Sequence, residues 1–166
     1  MLLHVRFKLV EWFAAALFQV PCETLRDTEC SCMSTKTVGL PKFQHVTIIF
    51  PPGQEKALRT FYVGVMGFLE KPVPEVAKPL GWIWFYTGQE GVELHCVPDQ
   101  RNVPTDWNPH FCIEVDDLHH YRARLKESGH QIIEARPLPF RPRFFTRDPF
   151  NNLIEIVRVE GDYLQA

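Results

Sequence analysis

His45-Val46-Thr47-Ile48-Ile49-Phe50 and His110-Phe111-Cys112-Ile113-Glu114-Val115 are the two stretches on which the fold turns. Each opens on a histidine and continues in β-branched, aromatic or aliphatic residues, the reading of a short strand. Each is followed by a turn and then an amphipathic helix. Pro51-Pro52-Gly53 punctuates the first, and residues Gln54 to Val63 place Ala57, Leu58, Phe61 and Tyr62 on one side. Asp116-Asp117 can cap the second, which runs from Leu118 to Glu127 with Tyr121 and Leu125 at helical spacing. A glycine follows each helix, Gly67 and Gly129, where a C-terminal cap is expected.

These stretches are two copies of one unit. With a gap of about three residues in the second helical part, the remainder aligns at a constant offset. Gly67 then meets Gly129, Trp82 meets Phe144, Glu93 meets Glu155, and His95 falls opposite Val157. Turns are expected at Gly88 to Gly91 and at Asp148 to Asn152, each before a last strand (Val92-Glu93-Leu94 and Ile154-Glu155-Ile156). The expectation is an α+β fold: two βαβββ modules, residues 41–98 and 107–158, in a single domain over residues 41–160.

A chain of 166 residues supports one compact core and not two ordinary domains. Apolar residues make up 45% and charged residues 23%, as in globular proteins in water. A net charge of -2 gives no basic excess for a phosphate backbone, so nucleic acid is excluded as the default partner. No apolar stretch reaches the roughly 20 residues that cross a bilayer, so no membrane partner is expected. The five cysteines are odd in number and irregularly spaced: Cys22, Cys30 and Cys32 early, Cys96 and Cys112 inside strand-like runs. That favours free thiols and a cytoplasmic setting. Residues 1–40 read as an N-terminal extension. Leu9 to Val20 is apolar and follows His4, Arg6 and Lys8, a faint leader pattern that leaves organelle targeting or secretion through residues 1–32 as the alternative. Glu11 weakens that pattern, and Met33-Ser34-Thr35-Lys36 reads like a cytosolic start.

The repeat also carries chemistry. His45 and His110 begin the first strand of each copy, and Glu93 and Glu155 lie on the last. Two imidazoles and two carboxylates suit one divalent ion, Zn²⁺, Ni²⁺, Co²⁺, Mn²⁺ or Fe²⁺, with positions left for water or substrate. A charged Glu inside an apolar strand is costly unless something pairs with it. Taken singly, a His at a strand start or a Glu on an alternating strand is an ordinary surface residue; matched positions in two copies change that weighing. His95 shares the face of Glu93, but the constant offset favours Glu93 as ligand and leaves His95 facing substrate or at the rim. Trp84 and Phe145, with Trp82, Phe85 and Phe144, lie on the middle strands and either wall a pocket or pack the core. Arg143, beside Arg141 and Arg147, is a candidate to hold an anionic substrate, against the plainer reading of a solvated charged loop.

These segments resemble the vicinal oxygen chelate superfamily of glyoxalase I, bleomycin- and fosfomycin-resistance proteins and extradiol dioxygenases. The resemblance runs through His45-Val46-Thr47-Ile48, residues Arg59 to Phe68, Val92-Glu93-Leu94-His95, residues His110 to Leu118, and Asp148-Pro149-Phe150-Asn151-Asn152-Leu153-Ile154-Glu155. It covers about residues 42 to 158. Asn151 stands where the family usually has Gly, and Asn is the next best residue for a left-handed turn. The resemblance implies a cup-shaped mixed sheet with metal ligands at His45, His110 and Glu155, and Glu93 as the fourth in glyoxalase-like members. It implies glyoxalase-like lyase or isomerase chemistry on a small molecule with vicinal oxygens, Glu155 or Glu93 moving a proton as general base. A homodimer is implied as well, with the site in one chain or shared across two. Two alternatives stand beside that reading: an Fe²⁺ extradiol-type dioxygenase using His45, His110 and Glu155, and a non-catalytic small-molecule binding or resistance protein.

Overall fold

The computed structural model describes residues 40–162. The leader reading and Cys22, Cys30 and Cys32 fall outside the described residues. The first module comprises β1 (His45–Phe50), α1 (Glu55–Arg59) running on into a π-helical segment (Thr60–Val65), β2 (Leu69–Lys71), a 3-10 helix (Glu75–Leu80), β3 (Ile83–Tyr86) and β4 (Glu93–Pro98). The second comprises β5 (His110–Glu114), α2 (Leu118–Glu127), β6 (Ile133–Glu134), β7 (Arg143–Arg147) and β8 (Leu153–Val157). Each module is one four-stranded sheet, ordered β1-β4-β3-β2 and β5-β8-β7-β6. The first strand lies parallel to the last, and the other pairings are antiparallel. A parallel pair cannot be closed by a hairpin, so the chain crosses over through the helix. Both βαβββ modules expected from the repeat are thus present.

Local chemistry explains the element ends. Asp117 caps α2, its carboxylate accepting from the backbone N–H of His120 at 3.0 Å. Gly67 and Gly129 both sit at φ +79°, which an L side chain adopts only under strain. Asn151 takes φ +71° in the β7–β8 turn, the left-handed role expected of it.

Strand alternation sends Phe50, Phe85, Leu94, Cys96, Phe144, Ile154 and Ile156 into a core shared with Leu58, Phe61, Tyr62 and Leu125 of the helices. So Phe85 and Phe144 are packing residues, wholly buried, and not pocket walls. Trp84 and Phe145 are one step along and face the other way, only half-buried. The modules are also locked by polar bonds. The buried Tyr62 hydroxyl donates to Asp148 Oδ2 at 2.9 Å, Asn152 Nδ2 donates to the Ile49 carbonyl at 2.9 Å, and Arg124 donates to the Gly64 carbonyl at 2.6 Å.

Strand pairing corrects the constant offset of the sequence alignment. One cross-sheet row of the first module is Lys71, Trp84, His95, Thr47. The row at the same place in the second is Ile133, Phe145, Glu155, Cys112. In both modules the strand-opening histidine, His45 or His110, stands two residues before the end of that row. The counterpart of Glu155 is therefore His95, and the counterpart of Glu93 is Leu153, since Glu93 pairs with His45 and Leu153 with His110. Trp84, not Trp82, answers to the β7 aromatics. The cause is loop length. Residues 87–92 join β3 to β4 and residues 148–152 join β7 to β8, one residue fewer, and a further residue is lost before β7. Two single-residue differences preserve face parity, so Glu93 and His95 still look the same way.

Candidate metal-binding site

In the first module, the His95 ring lies between two others. Trp84 stacks on one side (centroids 4.0 Å, planes 5° apart) and His45 on the other (4.2 Å, 14°). His95 Nε2 is 2.9 Å from Glu93 Oε2, while the Lys71 ammonium holds the other carboxylate oxygen, Oε1. Lys71 in turn sits over the rings of Trp84 and Tyr86, at 5.7 and 5.2 Å. Hydrogen bonds from Lys71 first, then from His95, hold the Glu93 carboxyl below its ordinary range. His45 Nδ1 contacts the Gln44 side-chain amide oxygen.

The second module presents a similar pair by another route. His110 Nδ1 meets the Asn108 carbonyl at 2.9 Å, and His110 Nε2 stands 3.0 Å from Glu155 Oε2. Phe145 meets the imidazole edge-on at 5.1 Å. Arg143 Nε lies 2.9 Å from Glu155 Oε1 as an ion pair, yet Nε is not aligned for a hydrogen bond, and buried Nη1 has no hydrogen-bond partner. Cys112 occupies the same face, its thiol pushed up to about 11 by burial and then by the Glu155 charge.

Donor chemistry at His110 and Glu155 fits a divalent ion. A backbone carbonyl can only accept, so His110 Nδ1 donates to it, and Nε2 is the nitrogen that faces Glu155, where a neutral imidazole would offer its lone pair to an ion. Two ligand atoms each about 2.1 Å from one ion, at right angles, stand about 3.0 Å apart. His110 Nε2 and Glu155 Oε2 stand at a hydrogen-bond and ion-pair distance of 3.0 Å, a spacing that two ligands of one six-coordinate ion also take. What one chain does not do is gather all the candidates. Among the described residues no group of three or more His, Cys, Asp or Glu side chains is placed to share an ion. His45, Glu93 and His95 cluster on one sheet, and His110 and Glu155 on the other. A cavity of about 440 Å³ between β1, residues 101–104 and β5 is lined by His110 but by none of His45, Glu93, His95 or Glu155. The sequence did not single out Lys71 or the Asn108 carbonyl. No local pattern marks either, because both act across strands or turns.

Residues 42–156 match the family described as the Glyoxalase/Bleomycin resistance protein/Dioxygenase superfamily. The chain belongs to that superfamily. A glyoxalase family protein from Bacillus anthracis is similar to it in structure at TM-score 0.66 and 30% identity, over 74% of this chain and 98% of that one. A genomically encoded fosfomycin resistance protein from Listeria monocytogenes is similar at TM-score 0.62 and 14% identity (76% and 98% covered). An antibiotic binding protein from Streptomyces sp. CB03234 is similar at TM-score 0.55 and 20% identity (74% and 98% covered). The last two likenesses speak for the fold alone. No match was found among curated protein sequences. As a member of the glyoxalase/dioxygenase superfamily, the chain has the α+β architecture expected from its repeat. No helix among its described residues is long and apolar enough to cross a membrane.

Proposed function

We propose that this chain is one protomer of a homodimeric, divalent-metal enzyme acting on a small molecule with two neighbouring oxygens, in glyoxalase-like lyase or isomerase chemistry. The single observation that carries the reading is the His110–Glu155 pair, with Nε2 facing Oε2 across 3.0 Å and Nδ1 committed to a backbone carbonyl. His110 and Glu155 would hold the ion from one module, and His45 with a side chain of β4 from the other. Among the described residues no three of these side chains share an ion position, and the proposal takes the second module from a partner copy. The ion's contribution is to bind two substrate oxygens and stabilise negative charge as it develops there.

The protein's own groups do the rest. Trp84 and Phe145 flank the two clusters and offer flat apolar surface to substrate. Arg143 has a buried N–H without a partner, beside Glu155, and would orient an anionic group of the substrate. Proton movement would fall to Glu155, beside His110, while Glu93 is held low and in place by Lys71 and His95.

The shared site has a direct test. His45→Ala and His110→Ala chains should each bind no Co²⁺ alone. Unfolded together and refolded as a mixture, they should regain binding, because each mixed dimer rebuilds one site from the intact module of either chain. If both single variants bind Co²⁺ like the wild type, the metal reading fails. If both lose it and mixing restores nothing, the two modules of a site come from one chain.

A second reading has one observation behind it. Both sheet faces carry half-buried aromatics, Trp84 and Phe145, able to hold a flat molecule without any ion. Ligand binding that survives Glu155→Gln and added chelator would favour it.

A further inference from the structure

We propose that this protein has a second binding site, away from both His–Glu clusters, which takes a small aromatic carboxylate between the first helix and the turn from β7 to β8. It does not rest on the metal reading. The site is a cavity of about 540 Å³, within the range that holds a small ligand. Lys56, Ala57, Thr60 and Phe61 bring one wall from the first module, and His130 and Pro149 bring the other from the second. None of His45, Glu93, His95, His110 and Glu155 lines it.

The two ends of this cavity differ in chemistry. One end is an aromatic corner: the Phe61 and His130 rings meet at 66° with centroids 4.7 Å apart, and Ala57 adds a methyl beside them. Burial lowers the His130 pKa, so the ring is neutral at neutral pH and packs as an aromatic. A flat ligand ring can meet such a corner with its face and its edge at once. The other end is cationic. The Lys56 ammonium is exposed and makes no hydrogen bond or ion pair among the described residues. Thr60 offers a hydroxyl one helical turn further on, on the same side. The carboxylates nearest in sequence are engaged elsewhere. Glu55 accepts from the Gly53 N–H at 3.2 Å, and the buried Asp148 accepts from Tyr62, Phe150 and Asn152. Neither lines the cavity. A flat apolar ring carrying one carboxylate satisfies both ends. The backbone gives a second indication. The helix changes from α to π form at Thr60, in the cavity wall, where the Met66 N–H donates to the Phe61 carbonyl at 2.8 Å. Turns of π-helix are rare and occur mostly at functional sites. Phe61 precedes Tyr62 and Pro149 follows Asp148, the pair whose hydrogen bond ties the modules together. A ligand that touches both walls therefore braces that junction, and stabilises the folded chain by mass action.

The test is calorimetry, thermal unfolding and proton NMR of the full chain with 2-naphthoate, and with neutral 2-naphthamide for comparison. 2-Naphthoate should bind with a Kd of about 1 mM, the ordinary yield of about 13 non-hydrogen atoms. It should raise Tm and move the His130 ring resonances, which are assigned by their loss in His130→Gln. Thr60→Trp, at an exposed helical position, fills the cavity and should abolish all three effects. Lys56→Met should weaken 2-naphthoate by about 2- to 5-fold, the size of an exposed ion pair, and leave 2-naphthamide unchanged. His110→Ala should bind as the wild type does. No saturable binding up to about 10 mM overturns the proposal. So does binding that Thr60→Trp leaves intact or that His110→Ala removes, since the probe then sits at another site. Equal affinity of the wild type for amide and carboxylate overturns the assignment to an anion. Should Thr60→Trp not fold, the other readouts decide: unmoved His130 resonances, or an unchanged affinity in Lys56→Met, overturn it.

Discussion

Removing one hydroxyl at the junction between the modules should cost this protein a sizeable part of its stability, and the loss should fade in acid. Tyr62 is fully buried and donates to Asp148 Oδ2 at 2.9 Å. Asp148, 4% exposed, opens the β7–β8 turn and also accepts from the N–H groups of Phe150 and Asn152, both at 2.8 Å, and from Asn152 Nδ2 at 2.7 Å. That turn delivers Glu155 to the site. Tyr62→Phe keeps the ring and its packing and deletes one donor to a buried carboxylate. A hydrogen bond to a charged group contributes about 1.5–3 kcal/mol. The other three donors remain, so the expected loss is about 2 kcal/mol, or about 8 °C in Tm for a folded unit of this size. Burial already holds the Asp148 carboxyl above its ordinary value, against the pull of its donors. A raised native pKa means the folded state takes up its proton before the unfolded chain does. Protonation removes the charge that Tyr62 stabilises, so the difference between variant and wild type should shrink as pH falls through that pKa. Urea unfolding of both proteins at neutral pH and near pH 4.5 measures this. A loss below about 0.5 kcal/mol at neutral pH, or one that grows in acid, would refute the reasoning.

Three further outcomes are expected. His130 packs edge-on against Phe61 at 4.7 Å, and burial lowers its pKa below 6.5; the unfolded chain therefore binds more protons in the window just below 6.5, so stability should fall there as pH drops, and His130→Gln should flatten that slope in urea titrations. Cys112, with its thiol raised to about 11 by burial, should react slowly with iodoacetamide at pH 8 despite reaching the surface; mass spectrometry showing free-thiol rates would contradict the assigned surroundings. Asn151 at φ +71° should accept Gly with little change, whereas Asn151→Ala should lower stability by about 1 kcal/mol in thermal unfolding; equal behaviour of the two would argue against the left-handed turn.

The sequence by itself determined the architecture. Strand-like runs after His45 and His110, helices at 3.6-residue spacing and a capping Asp117 are local properties, written in side-chain size, branching and hydrogen bonding. The histidines that open the first strand of each module were legible for the same reason, as was the left-handed role of Asn151. Register was not. Whether Glu93 or His95 stands in the row of Glu155 depends on loop lengths that cost almost nothing to change by a residue, and two such changes leave the face pattern intact. Cross-strand partners were hidden as well: Lys71 reaches Glu93 only because β2, β3 and β4 lie side by side. Tertiary structure also places His45, Glu93 and His95 on one sheet and His110 and Glu155 on the other, with no group of three or more such side chains among the described residues set to share an ion. That placement depends on how whole modules pack, through Tyr62, Asp148 and the shared core, and no short-range pattern encodes it.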